Sequence, residues 1–173
     1  MYGLLVINIK NEENVQMDSN NTAVYFAYGT LLDIDEMTRF CPSAKSLGLM
    51  KLLDHKLKFS FCKKNSDNGG CNLESFPGNV MYGILYELPE QELRDLDRLS
   101  GHGEGLWTNM HINLVNEKGK TIPALTYVIP TPGGDFTPSD DYVRPILKGL
   151  EVLPIPDEYK GQVRQIIHDA TNK

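Results

Sequence analysis

Apolar and polar positions alternate over several stretches of this chain and take helical spacing in four others. Val24 to Ala27 is a short apolar run that reads as a buried strand. From His55 to Cys62, Leu57, Phe59 and Phe61 face one way and Lys56, Lys58 and Ser60 the other, the period of a half-buried strand. Asn79 to Glu87 is an apolar run suited to a strand buried on both faces. Met110, Ile112 and Leu114 alternate with polar residues. Asn116-Glu117-Lys118-Gly119 then predicts a hairpin turn and residues 120–129 the return strand, with Pro123 marking an edge or a bulge. Helical spacing appears at Leu31, Ile34 and Met37, stopped by Pro42. It appears again at Leu93, Leu96 and Leu99, with Pro89 in the first turn and Gly101 as the cap. Two further helices are predicted over residues 142–150 and 157–170, joined by a proline-rich link. Strands outnumber helices and the helices are short, so the predicted class is α+β with a curved, barrel-like sheet.

The connecting segments set the domain organisation. Residues 11–21, NEENVQMDSNN, read as a polar linker, and Leu4 to Ile9 before them as either an edge strand or an ordered tail. Residues 1–21 are therefore an extension, and residues 22–173 a single domain. Residues 63–78 carry Asn65, Asp67, Asn68, Gly69, Gly70, Pro77 and Gly78 and read as a loop long enough to be an active-site flap.

Composition narrows the classes of function. A chain of 173 residues, 40% hydrophobic, supports one domain with a sizeable core. A net charge of −6, with no run of lysine and arginine, argues against nonspecific nucleic-acid binding and against an anionic membrane surface. No stretch approaches the ~18 apolar residues of a membrane span, and the N-terminus lacks the pattern of a signal peptide. Cys41, Cys62 and Cys71 are odd in number and form no C-x-x-C pair, which predicts reduced thiols in a cytoplasmic protein and neither disulfides nor structural zinc.

The most informative stretch is Tyr25 to Asp33, YFAYGTLLD. A strand that ends in a small-residue turn and opens a helix leaves convergent backbone N–H groups, a place suited to a carboxylate or phosphate. Tyr28, Gly29, Thr30, Leu31 and Leu32 are thus candidate binding residues. YFAYGTLL also resembles the opening motif, YGSN or YGTL, of the gamma-glutamylcyclotransferase-like family. Three further blocks resemble that family in the same order: CPSAKSLGLMKLLDHKLKFS, GNVMYGILYELPEQELRDLDRLSG and SDDYVRPILKGLEVLPIPDEY, the last in the manner of the animal-type branch. The resemblance runs from about Val24 to Ile167. It implies a small mixed β-barrel flanked by short helices, with a pocket at the barrel mouth under the YGTL turn.

The implied reaction is cyclisation of a gamma-glutamyl amine or amino acid. The substrate's α-amine attacks its own γ-carbonyl, releasing 5-oxoproline and a free amine. Positioning supplies much of the rate because both reactants lie in one molecule. One carboxylate suffices for the proton handling, and no cofactor or metal is implied. The family's L-D-x-x-E-G segment carries that glutamate, and here Leu96-Asp97-Arg98-Leu99-Ser100-Gly101 places Ser100 at its position. Glu104, flanked by Gly103 and Gly105, is the first candidate for a relocated acid/base, and Glu74 in the predicted flap the second. His102 is a partner for Glu104 or a separate base; a Ser100–His102 nucleophile pair ranks below both. Tyr142 matches a tyrosine that faces substrate in the animal-type branch, or else packs its helix on the barrel. Asp97 reads as a solvated residue, and Tyr28 as a pocket wall or an anchor of the turn.

Two functions follow. One is an enzyme acting on a small gamma-glutamyl substrate. The other is a catalytically inactive relative that binds a small carboxylate or acyl-amide ligand, or serves as a regulatory module. The sequence leaves a homodimer open.

Overall fold

The computed structural model describes residues 21–172. The edge strand or ordered tail expected at Leu4–Ile9, and all of the polar linker but Asn21, lie outside the described residues. Five strands and four helices follow in the order β1 (Thr22–Ala27), α1 (Ile34–Phe40), β2 (Lys45–Phe61), β3 (Gly69–Pro89), α2 (Glu90–Leu99), β4 (Thr108–Val115), β5 (Thr121–Val128), α3 (Asp140–Val152) and α4 (Asp157–Thr171). Short 3₁₀ turns at Thr30–Leu32 and His102–Glu104 flank the positions that matter below.

The strands close into a mixed barrel in the order β1-β3-β2-β4-β5. All neighbours are antiparallel except β1 and β5, which meet in parallel at Tyr25 and Leu125. Period-two alternation divides the apolar residues between two cores. Along β1, Phe26 belongs to the core shared with β2, β4, α3 and α4, whereas Tyr25 and Ala27 belong to the one shared with α1 and α2. Along β3, Met81 and Leu85 go to the first, and Ile84 and Tyr86 to the second. The continuous apolar run at residues 79–87 is thus a strand covered on both faces. Full burial of a side chain such as Phe26 or Leu85 contributes ~1.5–3 kcal/mol.

The structure corrects the flap. Residues 69–75 continue the β2–β3 ladder, from Phe61 opposite Gly69 to His55 opposite Ser75. The loop signals therefore mark two separate events. Asn65 to Asn68 form the hairpin tip, and Pro77-Gly78 lie at a ladder irregularity, where Asp54 and Gly78 take positive φ (59° and 85°) and Asp54 Oδ1 accepts the Gly78 amide at 2.8 Å. Gly69 and Gly70 are strand residues that leave room for aromatic rings. A Cβ on Gly69 would lie 2.4 Å from the Phe136 ring, and one on Gly70 2.1 Å from Tyr142 Oη.

Other boundaries moved little. Pro89 is the N-cap of α2, one position before the first turn, and Gly101 at φ 66° follows its C-cap Ser100. The β4–β5 turn closes through Gly119 N–H to Asn116 O at 3.0 Å. Pro123 sits within β5 opposite Asn113. Among the described residues, no helix is long and apolar enough to cross a membrane.

Candidate functional site

A cavity of about 190 Å³ opens where β1 runs into the Thr30–Leu32 turn. The turn supplies Tyr28, Gly29, Thr30 and Leu31; β1 supplies Tyr25, β3 Cys71 and β5 Tyr127; α3 supplies Tyr142; the end of α2 and the segment after it supply Ser100 and Trp107. This is below the ~300–1,000 Å³ of pockets for drug-sized ligands and suits a small metabolite.

The turn is built to leave amides over. Its 3₁₀ ladder uses the N–H groups of Leu32, donated to Gly29 O at 3.0 Å, and of Asp33, donated to Thr30 O. The amides of Gly29, Thr30 and Leu31 stand outside that ladder, and the Thr30 amide approaches the Cys71 thiol. Close packing fixes the turn from both sides. A Cβ on Gly149 of α3 would lie 2.5 Å from Leu32 Cβ, and one on Gly29 would lie 2.8 Å from Cys71 Sγ. Asp33 caps α1 by accepting the Asp35 amide at 3.1 Å and pairs with Lys148 Nζ at 3.0 Å, tying the turn to α3.

The wall opposite is neutral and hydrogen-bonded. Tyr142 Oη accepts the Cys71 amide N–H at 2.9 Å, and Trp107 Nε1 donates to the Cys71 carbonyl at 3.1 Å. Tyr28 Oη donates to the Tyr127 carbonyl at 2.7 Å, so Tyr28 both lines the cavity and anchors the turn. Tyr142 likewise has both expected placements: it lines the cavity and packs edge-on against Phe59 and Phe136. Burial pushes the phenols of Tyr25, Tyr28, Tyr127 and Tyr142 above their ordinary range and the Cys71 thiol up to about 12. None of these five groups is charged near neutral pH.

The candidate acid/base residues separate. Ser100 reaches the cavity, but its Oγ donates to the Leu96 carbonyl at 2.8 Å, one helical turn back. Glu104 sits exposed in the His102–Glu104 turn between two left-handed glycines, Gly101 at φ 66° and Gly105 at φ 72°, and is not part of the cavity wall. Glu74 lies on β3 rather than in a flap. Its carboxylate meets Lys56 Nζ at 2.9 Å and Lys58 Nζ at 3.4 Å, and the Lys56 hydrogen bond holds it below the usual carboxylate range. His102 Nε2 lies 3.2 Å from Thr108 Oγ1, which is its partner in place of Glu104 or Ser100.

Asp97 is the main correction among the side chains. It is half-buried rather than solvated, and its Oδ1 accepts the Tyr127 hydroxyl at 2.5 Å and the Asn109 amide Nδ2 at 2.9 Å. The sequence reading missed Tyr25, Cys71, Trp107 and Tyr127 as wall residues. Tyr25 and Tyr127 belong to strand runs that already explain them as core, Cys71 falls in the segment read as a loop and Trp107 in no predicted element, so no spacing singles them out. Among the described residues, no group of histidine, cysteine and carboxylate side chains could hold a metal.

Comparison with known proteins gives concordant results. Residues 80–162 match the AIG2-like family. A gamma-glutamylcyclotransferase of Bos taurus is 27% identical over 177 residues, covering 93% of this chain and 94% of that protein. One of Mus musculus is 28% identical over 149 residues, covering 84% and 79%. A solved gamma-glutamyl cyclotransferase structure superposes with a TM-score of 0.76 at 25% identity, covering 83% of this chain and 87% of that one.

Proposed function

The chain belongs to the gamma-glutamylcyclotransferase-like family, and from that premise we propose that it converts a gamma-glutamyl amine or amino acid to 5-oxoproline and a free amine. The observation that carries this reading is the cavity at the Tyr28–Leu32 turn, with the amides of Gly29, Thr30 and Leu31 outside the turn's own ladder. Such amides bind the substrate's carboxylate or take up charge on the γ-carbonyl oxygen as the tetrahedral intermediate forms. The tyrosine-rich wall holds the folded-back substrate so that its amine lies against that carbonyl. No cofactor takes part.

The proton handling falls to a residue other than Ser100, whose hydroxyl is neither a useful base nor acid near neutral pH. Glu104 is the nearest following glutamate in sequence, and serving the cavity requires the segment between Gly101 and Gly105 to turn inward. Loss of 5-oxoproline release in Glu104→Gln, with KM unchanged, would place it there. Unchanged release removes it, and Glu74→Gln tests the second carboxylate in the same way. Three unpaired thiols suit a reducing compartment such as the cytoplasm.

A second reading is favoured by one feature: the cavity wall contains no carboxylate, histidine or lysine. On that reading the protein binds a small carboxylate or acyl-amide without turning it over, or regulates through that binding. The deciding experiment measures 5-oxoproline release from a panel of gamma-glutamyl amines and amino acids, with calorimetry on the same compounds. Release supports the enzyme. Binding without release supports the second reading, and neither outcome on any compound overturns both.

A further inference from the structure

Asp97 and Tyr127 form a hydrogen-bonded pair beside the cavity, close to the serine at position 100. Asp97 stands on α2, three residues before Ser100, and Tyr127 on β5 in the cavity wall. The Tyr127 hydroxyl donates to Asp97 Oδ1 at 2.5 Å, at the short end for a hydrogen bond to a carboxylate. Asn109 Nδ2 donates to the same oxygen at 2.9 Å and fixes the carboxylate from β4. Ser100 lies beside the Tyr127 hydroxyl and lines the same cavity. Among the described residues, Asp97 is the one carboxylate hydrogen-bonded to a side chain of the cavity wall. A phenol that gives its proton to a carboxylate keeps its oxygen lone pairs for a donor arriving from the other side.

Resting on the cyclotransferase reading, we propose that Tyr127 and Asp97 together do the proton handling that Ser100 cannot. Tyr127 meets the substrate's ammonium, and Asp97, behind it, receives the proton. The ammonium gives one proton to Tyr127 Oη as the phenol's own proton passes to Asp97, leaving a neutral amine, a neutral phenol and a protonated Asp97. The amine nitrogen then bonds to the γ-carbon, and the carbonyl oxygen takes up the electron pair at the amides of the turn. Asp97 returns its proton through Tyr127 to the leaving nitrogen, and the bond from the γ-carbon to that nitrogen breaks. Of the three ammonium protons, one stays on the ring nitrogen. The second leaves through the relay as described. The third is taken from the ring nitrogen by the same route and ends on the released amine as its ammonium. Tyr127 is the catalytic residue on this account, and Asp97 acts through it. A positioned acid/base of this kind contributes about 10²–10⁴ in rate.

The test uses the full chain and measures kcat and KM for 5-oxoproline release from a panel of gamma-glutamyl amines and amino acids. Asp97→Asn keeps the size and the hydrogen-bond acceptor but cannot take the proton, and Tyr127→Phe removes one hydroxyl. Each is expected to lower kcat by about 10²–10⁴ with KM little changed. The double variant should fall no further than the worse single one, and Ser100→Glu should restore release in the Asp97→Asn background. Should Asp97→Asn fail to fold, Tyr127→Phe carries the same prediction. Wild-type kcat in folded Asp97→Asn overturns the relay while the cyclotransferase reading stands. So does a kcat loss that tracks a lowered melting temperature and is not rescued by Ser100→Glu. A wild-type chain that binds these compounds without releasing 5-oxoproline overturns the relay and the cyclotransferase reading together.

Discussion

The Tyr142 hydroxyl accepts the amide N–H of Cys71 across 2.9 Å and joins the first turn of α3 to β3 in the cavity wall. The ring reaches that amide because Gly70 has no side chain: a Cβ there would lie 2.1 Å from Tyr142 Oη.

Tyr142→Phe should therefore cost stability beyond the loss of one hydroxyl. It leaves a buried amide without its acceptor, at a cost of ~1–3 kcal/mol. Urea denaturation is expected to give a lower midpoint with an unchanged m-value. Gly70→Ala should be at least as damaging, because the methyl group and the Tyr142 ring cannot occupy the same space.

Gly29 and Cys71 form a second tight pair, with 2.8 Å between the position of a Gly29 Cβ and Cys71 Sγ. Gly29→Ala is expected to destabilise by ~1–3 kcal/mol. Cys71→Ala, which removes the sulfur, should recover part of that in the double variant. A double-mutant cycle by chemical denaturation measures the coupling.

The thiols predict the alkaline behaviour. Burial raises Cys71 to about 12, and Cys41 and Cys62 to about 11, from 9.0. Between pH 9 and the folded value, the unfolded chain has lost these protons and the folded chain still holds them. Unfolding then releases protons, so stability is complete below about pH 9 and falls as pH rises toward 11–12. Urea midpoints across pH 8 to 11 should decline above 9. At pH 8, iodoacetamide should leave Cys71 unmodified in the folded chain and label it in urea, as read by peptide mass spectrometry.

Ser100→Glu places a carboxylate at the cavity wall and removes the hydrogen bond from Ser100 Oγ to Leu96 O. Stability should fall by ~0.5–1.5 kcal/mol. If Asp97 already accepts the proton through Tyr127, release of 5-oxoproline should rise no more than about tenfold, because two close carboxylates raise one another's pKa. A rise of about 10²–10⁴ would mean that no working base existed before the substitution.

Local periodicity and turn chemistry made the barrel class, the four helices, the β4–β5 hairpin and the Tyr28–Leu32 turn legible. Each rests on residues within a few positions of one another, such as Leu93 and Leu96, buried on one face of α2, or Asn116 and Gly119 at a turn; Leu99, expected on the same stripe, is exposed because the third position at a spacing of three has rotated off that face. The motif order also singles out position 100, and Ser100 lines the cavity wall. The flap was misread because glycine and asparagine have the same meaning in a loop as in a strand crossed by large rings. Only the positions of Phe136 and Tyr142, more than sixty residues on, distinguish the two cases for Gly69 and Gly70. Asp97 reads as solvated when the apolar stripe is run through Leu99, but Leu99 is exposed and Asp97, four residues after Leu93, lies beside the buried face. Closure of the barrel then brings Tyr127, thirty residues away, onto its carboxylate. Sequence spacing fixes which face of an element a side chain occupies, but the partner across that face is chosen by the topology that joins β5 to β1 and lays α2 beside them.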